Sequence, residues 1–176
     1  GIHNRGDWDL STHAKHSKQK LDYLDEDKKE RFVPHIIETS GGLDRAFLAF
    51  LLEAYTVNEK GNVVLRLSPR LAPIKVAILP LVKKEPLLVK IATEIYEDLR
   101  DEWSVAYDES GSVGRRYARN DEVGTPFCIT VDNDSEKNGD VTIRNRDDGE
   151  QKRILIKGLK DVLRKLVSGE LVFGDL

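Results

Sequence analysis

The sequence predicts an α/β protein, and three observations predict it. Two short apolar runs, residues 74–82 (IKVAILPLV) and 126–132 (PFCITVD), have the character of central strands. Around them, residues 86–100, 113–123 and 159–167 read as helices, the first and last with clear amphipathic spacing. Upstream, residues 33–45 (VPHIIETSGGLDR) run from strand character through a glycine pair into a helical pattern. Adding strands at 103–107, 141–144 and 151–156 gives the order β-α-β-α-β-β-β-α from about residue 60 onward. That order implies a five-stranded mixed sheet flanked by three helices.

In chain order, residues 1–33 are polar. STHAKHSKQK (11–20) and DYLDEDKKER (22–31) read as an exposed excursion. FVPHIIE (32–38) has strand character, with Pro34 suited to an edge or a strand start because it lacks an N–H. Leu43 to Tyr55 follows as a helix whose Leu43, Phe47, Leu48, Phe50, Leu51 and Leu52 cover most of its girth. A helix that is apolar nearly all round is expected to be buried. Asn58 to Asn62 is turn-rich, and the domain boundary is expected there, dividing residues 1–57 from 58–176.

Composition narrows the function. The 176 residues carry 28 Lys and Arg against 31 Asp and Glu, a net charge of −3. A uniformly basic nucleic-acid coat is excluded, so any contact with RNA or DNA needs a local patch. The single cysteine, Cys128, excludes a disulfide scaffold and a multi-cysteine zinc module. No apolar run approaches the roughly 20 residues that cross a membrane, and a reducing, cytoplasmic compartment fits. The chain starts Gly1-Ile2-His3-Asn4 and contains no methionine, so it is expected to be part of a longer polypeptide.

The sharpest chemical signal is the strand–break–helix. Small residues and glycines let a backbone approach a ligand, and a helix N-terminus offers N–H groups to an anion. Glu38 suits an ammonium group; Arg45 suits a phosphate or an aromatic ring. The plainer reading is a β-turn-α joint whose glycines only permit the turn. Arg115, Arg116 and Arg119 on the helix at 113–123, with Arg144 and Arg146 on a later strand, form a candidate cationic patch for RNA phosphates and bases, with Tyr117 or Phe127 available for stacking. The competing reading is a solvated face paired with Asp121, Glu122, Asp147 and Asp148. His13 and His16, with His3 upstream, fall short of a four-ligand zinc set, and no metal site is expected. Cys128, in an apolar strand, reads as an inert buried thiol.

PHIIETSGGLDRAFLAF resembles the third signature motif of class II aminoacyl-tRNA synthetases, in the form found in the dimeric glycine enzymes. GIHNRGDWDLSTH, LAPIKVAILPLV, GSVGRRYARNDEVGTPFCITVD and VTIRNRD are similar to further stretches of that family, in the family's order. The resemblance implies the end of a catalytic domain (1–57, third motif at 34–45) followed by an anticodon-binding domain (58–176). It implies that Glu38, Thr39, Ser40, Gly41 and Gly42 form the glycine-binding segment, with Glu38 facing the ammonium group. It implies that Gly42, Leu43, Asp44 and Arg45 bind ATP, with Arg45 the catalytic arginine lying on the adenine, and that the tRNA contacts are Arg115, Arg116, Arg119, Arg144 and Arg146. Thr39 replaces the proline more usual there, and the first two class II motifs do not occur in these residues, so the chain alone is expected to be inactive. The implied parent is a homodimeric glycine–tRNA ligase using ATP with Mg²⁺ and tRNA for glycine, with no DNA or membrane partner and no tightly bound cofactor. The alternatives are a non-catalytic RNA-binding module, or an accessory subunit of a nucleic-acid enzyme, with the same fold.

Overall fold

The computed structural model describes all 176 residues. They form two compact units, Gly1–Leu48 and Ala49–Leu176.

In the first unit, β1 (Ile2–Asn4) pairs antiparallel with β4 (Ile37–Thr39), with His3 opposite Glu38. The ladder continues one step beyond the strands: Arg5 N–H donates to Ile36 O and Ile36 N–H to Gly6 O, both at 2.9 Å. The expected excursion is exposed, and it is also structured. Helix α1 (Trp8–Ser17) covers most of the first polar stretch and ends at Lys18, in left-handed conformation. β2 (Tyr23–Asp25) and β3 (Glu30–Phe32) form a hairpin in the second. Its turn is organised by Asp25, whose Oδ1 accepts from the N–H groups of Asp27 and Lys28. Local side-chain-to-backbone bonds of this kind leave no hydrophobic periodicity to read. Residues 32–38 are not one strand. β3 stops at Phe32 and β4 starts at Ile37, with Pro34 in the gap.

Helix α2 (Leu43–Ala54) forms where expected but is not buried. Leu43, Phe47, Leu48, Phe50 and Leu52 are each more than half exposed, and only Ala54 is buried. An apolar girth needs neighbours on every side, and these 176 residues do not supply them.

In the second unit the last residues of α2 lead into a hairpin, β5 (Tyr55–Val57) and β6 (Val63–Leu65), around the turn at 58–62. Asn58 Oδ1 holds that turn by accepting from the N–H groups of Lys60 and Asn62. The main sheet contains β7 (Val76–Pro80), β8 (Val105–Tyr107), β9 (Phe127–Val131), β10 (Asp140–Asn145) and β11 (Gln151–Leu155), in the order β11-β10-β9-β7-β8. β7 runs parallel to both β8 and β9, whereas β10 is antiparallel to β9 and β11, so the sheet is mixed as expected. β7 and β9 are buried on both faces, which explains their unbroken apolar runs.

Strand alternation divides the core. Val76 and Ile78 of β7, with Phe127, Ile129 and Val131 of β9, pack with Leu88, Ala92, Ile95 and Leu99 of α3 (Pro86–Arg100) and Leu159, Leu163 and Leu166 of α6 (Leu159–Ser168). Ala77, Leu79 and Cys128 face the other way, against Tyr117 of α4 (Val113–Glu122). A fourth helix, α5 (Asn133–Asn138), is additional to the three expected. It is six residues long and polar, so it carries no amphipathic signal. Its one sequence cue is the capping box between Asp132 and Ser135. No helix of the chain is long and apolar enough to cross a membrane.

Candidate functional site

Two places gather the chemistry expected from the sequence. The first is the turn from β4 into α2. Glu38 lies mid-strand in β4, its carboxylate partly exposed, and Oε2 accepts from Arg5 Nη1 at 2.9 Å. Arg5 also binds Asp9 at the start of α1, with Nε donating to Oδ2 at 2.7 Å and Nη2 to Oδ1 at 3.2 Å. Thr39, Ser40, Gly41 and Gly42 are exposed. α2 opens with the bond from Ala46 N–H to Gly42 O at 3.1 Å. Asp44 stands in its first turn. Arg45 is exposed, and its Cγ and Cδ lie 3.8 Å from where a Cβ on Gly42 would stand, so its stem runs back along the turn.

The glycines answer the simpler reading of this turn. Neither Gly41 nor Gly42 is among the positive-φ glycines, and a Cβ on Gly41 would meet nothing within 4 Å. Neither the turn conformation nor a neighbouring group demands glycine at 41. Gly124 shows the contrast: its φ is +83°, and a Cβ there would stand 3.2 Å from Leu65 O and 3.1 Å from Leu67 Cδ1.

The second place is the α4 side of the main sheet, where the five candidate arginines separate. Arg115 is exposed and makes no ion pair. Arg119 is half exposed, and its Nη2 donates to Asp108 Oδ2 at 2.5 Å and to Ser110 O at 2.7 Å. Burial opposes ionisation of Asp108, but this hydrogen bond and charge outweigh it and hold the carboxyl below the usual range.

Arg116 and Arg146 do not belong to an exposed patch. Arg116 is 3% exposed. Its Nη1 donates to Pro80 O at 2.6 Å and Asp108 O at 3.3 Å, and its Nη2 to Gly111 O at 3.1 Å and Leu81 O at 3.3 Å. Arg146 is 4% exposed; Nη1 donates to Gly124 O at 2.8 Å, Nη2 to Leu67 O at 2.9 Å and Nε to Asp147 at 2.8 Å. Both spend their Nη donors on backbone carbonyls within the unit, and their burial withdraws them from a phosphate. A run of arginines counts charge without assigning faces, and successive helix residues are turned about 100° apart. Phe127 is likewise withdrawn from stacking, buried 6.3 Å from the Phe173 ring.

Arg144 lies between these cases. Its guanidinium forks onto Asp121 at 2.8 and 3.0 Å and covers the Tyr117 ring at 4.8 Å. Burial opposes its charge, yet the bonds to Asp121 prevail and raise its pKa. Tyr117 is anchored by a 2.6 Å hydrogen bond between its hydroxyl and Thr130. Arg144 and Tyr117 form part of the wall of a groove of about 800 Å³, together with Lys60, Arg66, Asp147 and Gln151. Glu59, Asp121 and Asp148 line the same groove, so its cations and carboxylates balance, and Tyr117 with the Arg144 guanidinium offers a planar surface rather than a free positive charge. Lys60 and Arg66 were not legible as site residues, because the groove is assembled from the β5–β6 hairpin, α4 and the end of β10. Arg5 and Asp9 were missed for a similar reason: their i,i+4 spacing is visible, but Glu38 is far along the chain.

His3, His13 and His16 form no cluster of three metal-ligating side chains. Cys128 is buried, and that burial pushes its thiol up to about 12.

Residues 75–166, more than half of the chain, match the family model described as the anticodon binding domain. The chain belongs to that family. The anticodon-binding domain therefore comprises β7 to α6, the sheet and helices that carry Arg115, Arg119 and Arg144. Similarity to individual proteins extends further. The glycine–tRNA ligase of Thermobifida fusca is 46% identical over 177 aligned positions, covering 96% of this chain and 38% of the relative. Those of Bifidobacterium longum and Clostridium perfringens are 50% and 49% identical, covering 92% and 94% of this chain and 34% and 36% of the relatives. The chain thus spans little more than a third of the length of these curated relatives.

Proposed function

We propose that the chain is part of a glycine–tRNA ligase, with residues 1–57 contributing to its catalytic domain and residues 58–176 forming its anticodon-binding domain. The observation that carries this reading is the 46% identity to such a ligase across 96% of the chain, which takes in both units. In the proposed reaction the glycine carboxylate attacks the α-phosphorus of ATP, which enters with Mg²⁺, and pyrophosphate leaves. The terminal ribose hydroxyl of tRNA then attacks the carbonyl carbon of glycyl-adenylate, and AMP leaves.

Glu38 offers a partly exposed carboxylate to the ammonium group of glycine. Thr39, Ser40, Gly41 and Gly42 line the turn beside it with small side chains, which favours the smallest amino acid. Gly42, Leu43, Asp44 and Arg45 form the nucleotide segment. Arg45 is free to lie flat on adenine and reach a phosphate. In the second unit, Arg115, Arg119 and Arg144, with the groove at Tyr117, are assigned to tRNA. The enzyme acts as a homodimer in a reducing cytoplasm, as the family resemblance implies.

Glycine-dependent ATP–pyrophosphate exchange by the intact ligase polypeptide tests the catalytic assignment. Arg45→Lys raises the KM for ATP, because an ammonium lacks the flat surface and the donor fork. Glu38→Gln raises the KM for glycine. If both changes raised only the KM for ATP, Glu38 would have no role in binding glycine. A salt titration of tRNA binding tests the second unit. Replacing Arg115 and Arg119 together by Ala flattens the log–log slope by about one to two units. An unchanged slope and affinity would move the RNA surface away from α4.

A further inference from the structure

We infer that Arg5 and Asp9 are positioning residues for glycine recognition: together they hold the Glu38 carboxylate in place without neutralising it. This rests on the reading that Glu38 binds the substrate ammonium.

The geometry follows from strand and helix periodicity. His3 stands directly opposite Glu38 in the β1–β4 pair. Arg5 is two residues further on, so it shares the face of Glu38 and reaches it diagonally, as a long side chain does between paired strands. Asp9 lies four residues beyond Arg5, past the turn at Gly6, whose φ is +66°. Arg5 therefore stands between two carboxylates from different elements and spends its donors unequally. Two bind Asp9 in the forked arrangement that suits guanidinium and carboxylate. A third binds only Oε2 of Glu38, at 2.9 Å. Oε1 of Glu38 makes no hydrogen bond within the chain and is the atom left for the substrate.

Charge explains why the pair is needed. A lone arginine on Glu38 would fix the carboxylate but cancel its charge, and with it the attraction for an ammonium group. With Asp9 included, one positive and two negative groups leave a net charge of −1 at the site. The hydrogen bond and charge of Arg5 also hold Asp9 below the usual carboxylate range, so Asp9 keeps its negative charge. Glu38 is thereby oriented by one fixed donor while the cluster still attracts a cation.

The test is steady-state ATP–pyrophosphate exchange in the intact ligase polypeptide, with the KM for glycine, the KM for ATP and kcat measured separately. Asp9→Asn leaves Arg5 free to neutralise Glu38 and raises the KM for glycine by up to about five-fold, the range open to exposed pairs. kcat and the KM for ATP stay near wild type, which also shows that the variant folds. The decisive variant is the double change Asp9→Asn with Arg5→Gln. It restores the net charge of −1 and recovers part of the glycine affinity lost by Asp9→Asn alone. A purely structural role predicts the reverse, with the double variant at least as impaired as the single one, and that result overturns the inference. Glu38→Gln is measured in parallel. If it changes the KM for glycine while the Asp9 and Arg5 variants do not, the positioning role fails and the Glu38 assignment stands. If it leaves the KM for glycine unchanged, both fall together.

Discussion

The two units use arginine in opposite ways. In Gly1–Leu48 no side chain is buried, and Arg5 makes its bonds at the surface, to carboxylates that stay partly exposed. In Ala49–Leu176 a packed core surrounds the sheet, and Arg116 and Arg146 are sunk beneath the surface on backbone carbonyls. The difference teaches that charge alone does not mark a binding residue. A buried guanidinium whose Nη donors face main-chain oxygens builds the fold. One with exposed donors, such as Arg115 or Arg45, remains available to a ligand.

The sharpest way to break this contrast is to remove apolar volume from each unit. Leu163→Ala in α6 opens a cavity under a side chain that is 1% exposed, and should cost about 2–5 kcal/mol. Leu48→Ala in α2 removes a side chain that is 54% exposed, and should change stability by no more than about 0.5 kcal/mol. Urea unfolding measures both, followed by Trp103 fluorescence in a Trp8→Phe background for Leu163→Ala and by Trp8 fluorescence in a Trp103→Phe background for Leu48→Ala. Equal losses would mean that α2 is packed as tightly as α6.

A smaller effect separates neighbouring arginines. Arg116→Ala strips donors from the carbonyls of Pro80, Leu81, Asp108 and Gly111, and should cost about 2–4 kcal/mol. Arg115→Ala should stay within about 0.5 kcal/mol. The same unfolding assay decides, and a mild Arg116→Ala would show that water replaces the guanidinium.

The smallest effect concerns pH. Burial raises the Cys128 thiol from 9.0 to about 12, so the native chain keeps a proton that the unfolded chain loses above pH 9. Stability contributed by the protonated thiol is complete below pH 9 and is lost as pH rises toward 12. Between pH 8 and pH 10 the loss should be roughly 1 kcal/mol and absent in Cys128→Ala. Parallel slopes for the two proteins over that range would show that the thiol is not sealed from water. Cys128 has no comparable counterpart in the first unit, where every ionisable group reaches solvent.

By itself the sequence determined the strands and helices whose patterns are local. The apolar runs at β7 and β9 and the helical spacing of α3 and α6 follow from which residues must leave water together. The strand–turn–helix at 37–45 was legible for the same reason: a glycine pair between a β-pattern and a helical pattern is a local sign. α5 and the β2–β3 hairpin were not, because capping and turn bonds such as those of Asp132 and Asp25 leave no periodicity, and α1 was not because it is polar and buries no residue. Tertiary structure alone decided which charges face outward. Arg115 and Arg116 are neighbours in sequence, yet only one finds the carbonyls at the end of β7 that lie 35 and 36 positions away at Leu81 and Pro80. It also decided that Arg5 meets Glu38 across 33 positions. Hydrogen-bond partners that distant are chosen by strand register and packing, and neither is written in the spacing of the residues themselves.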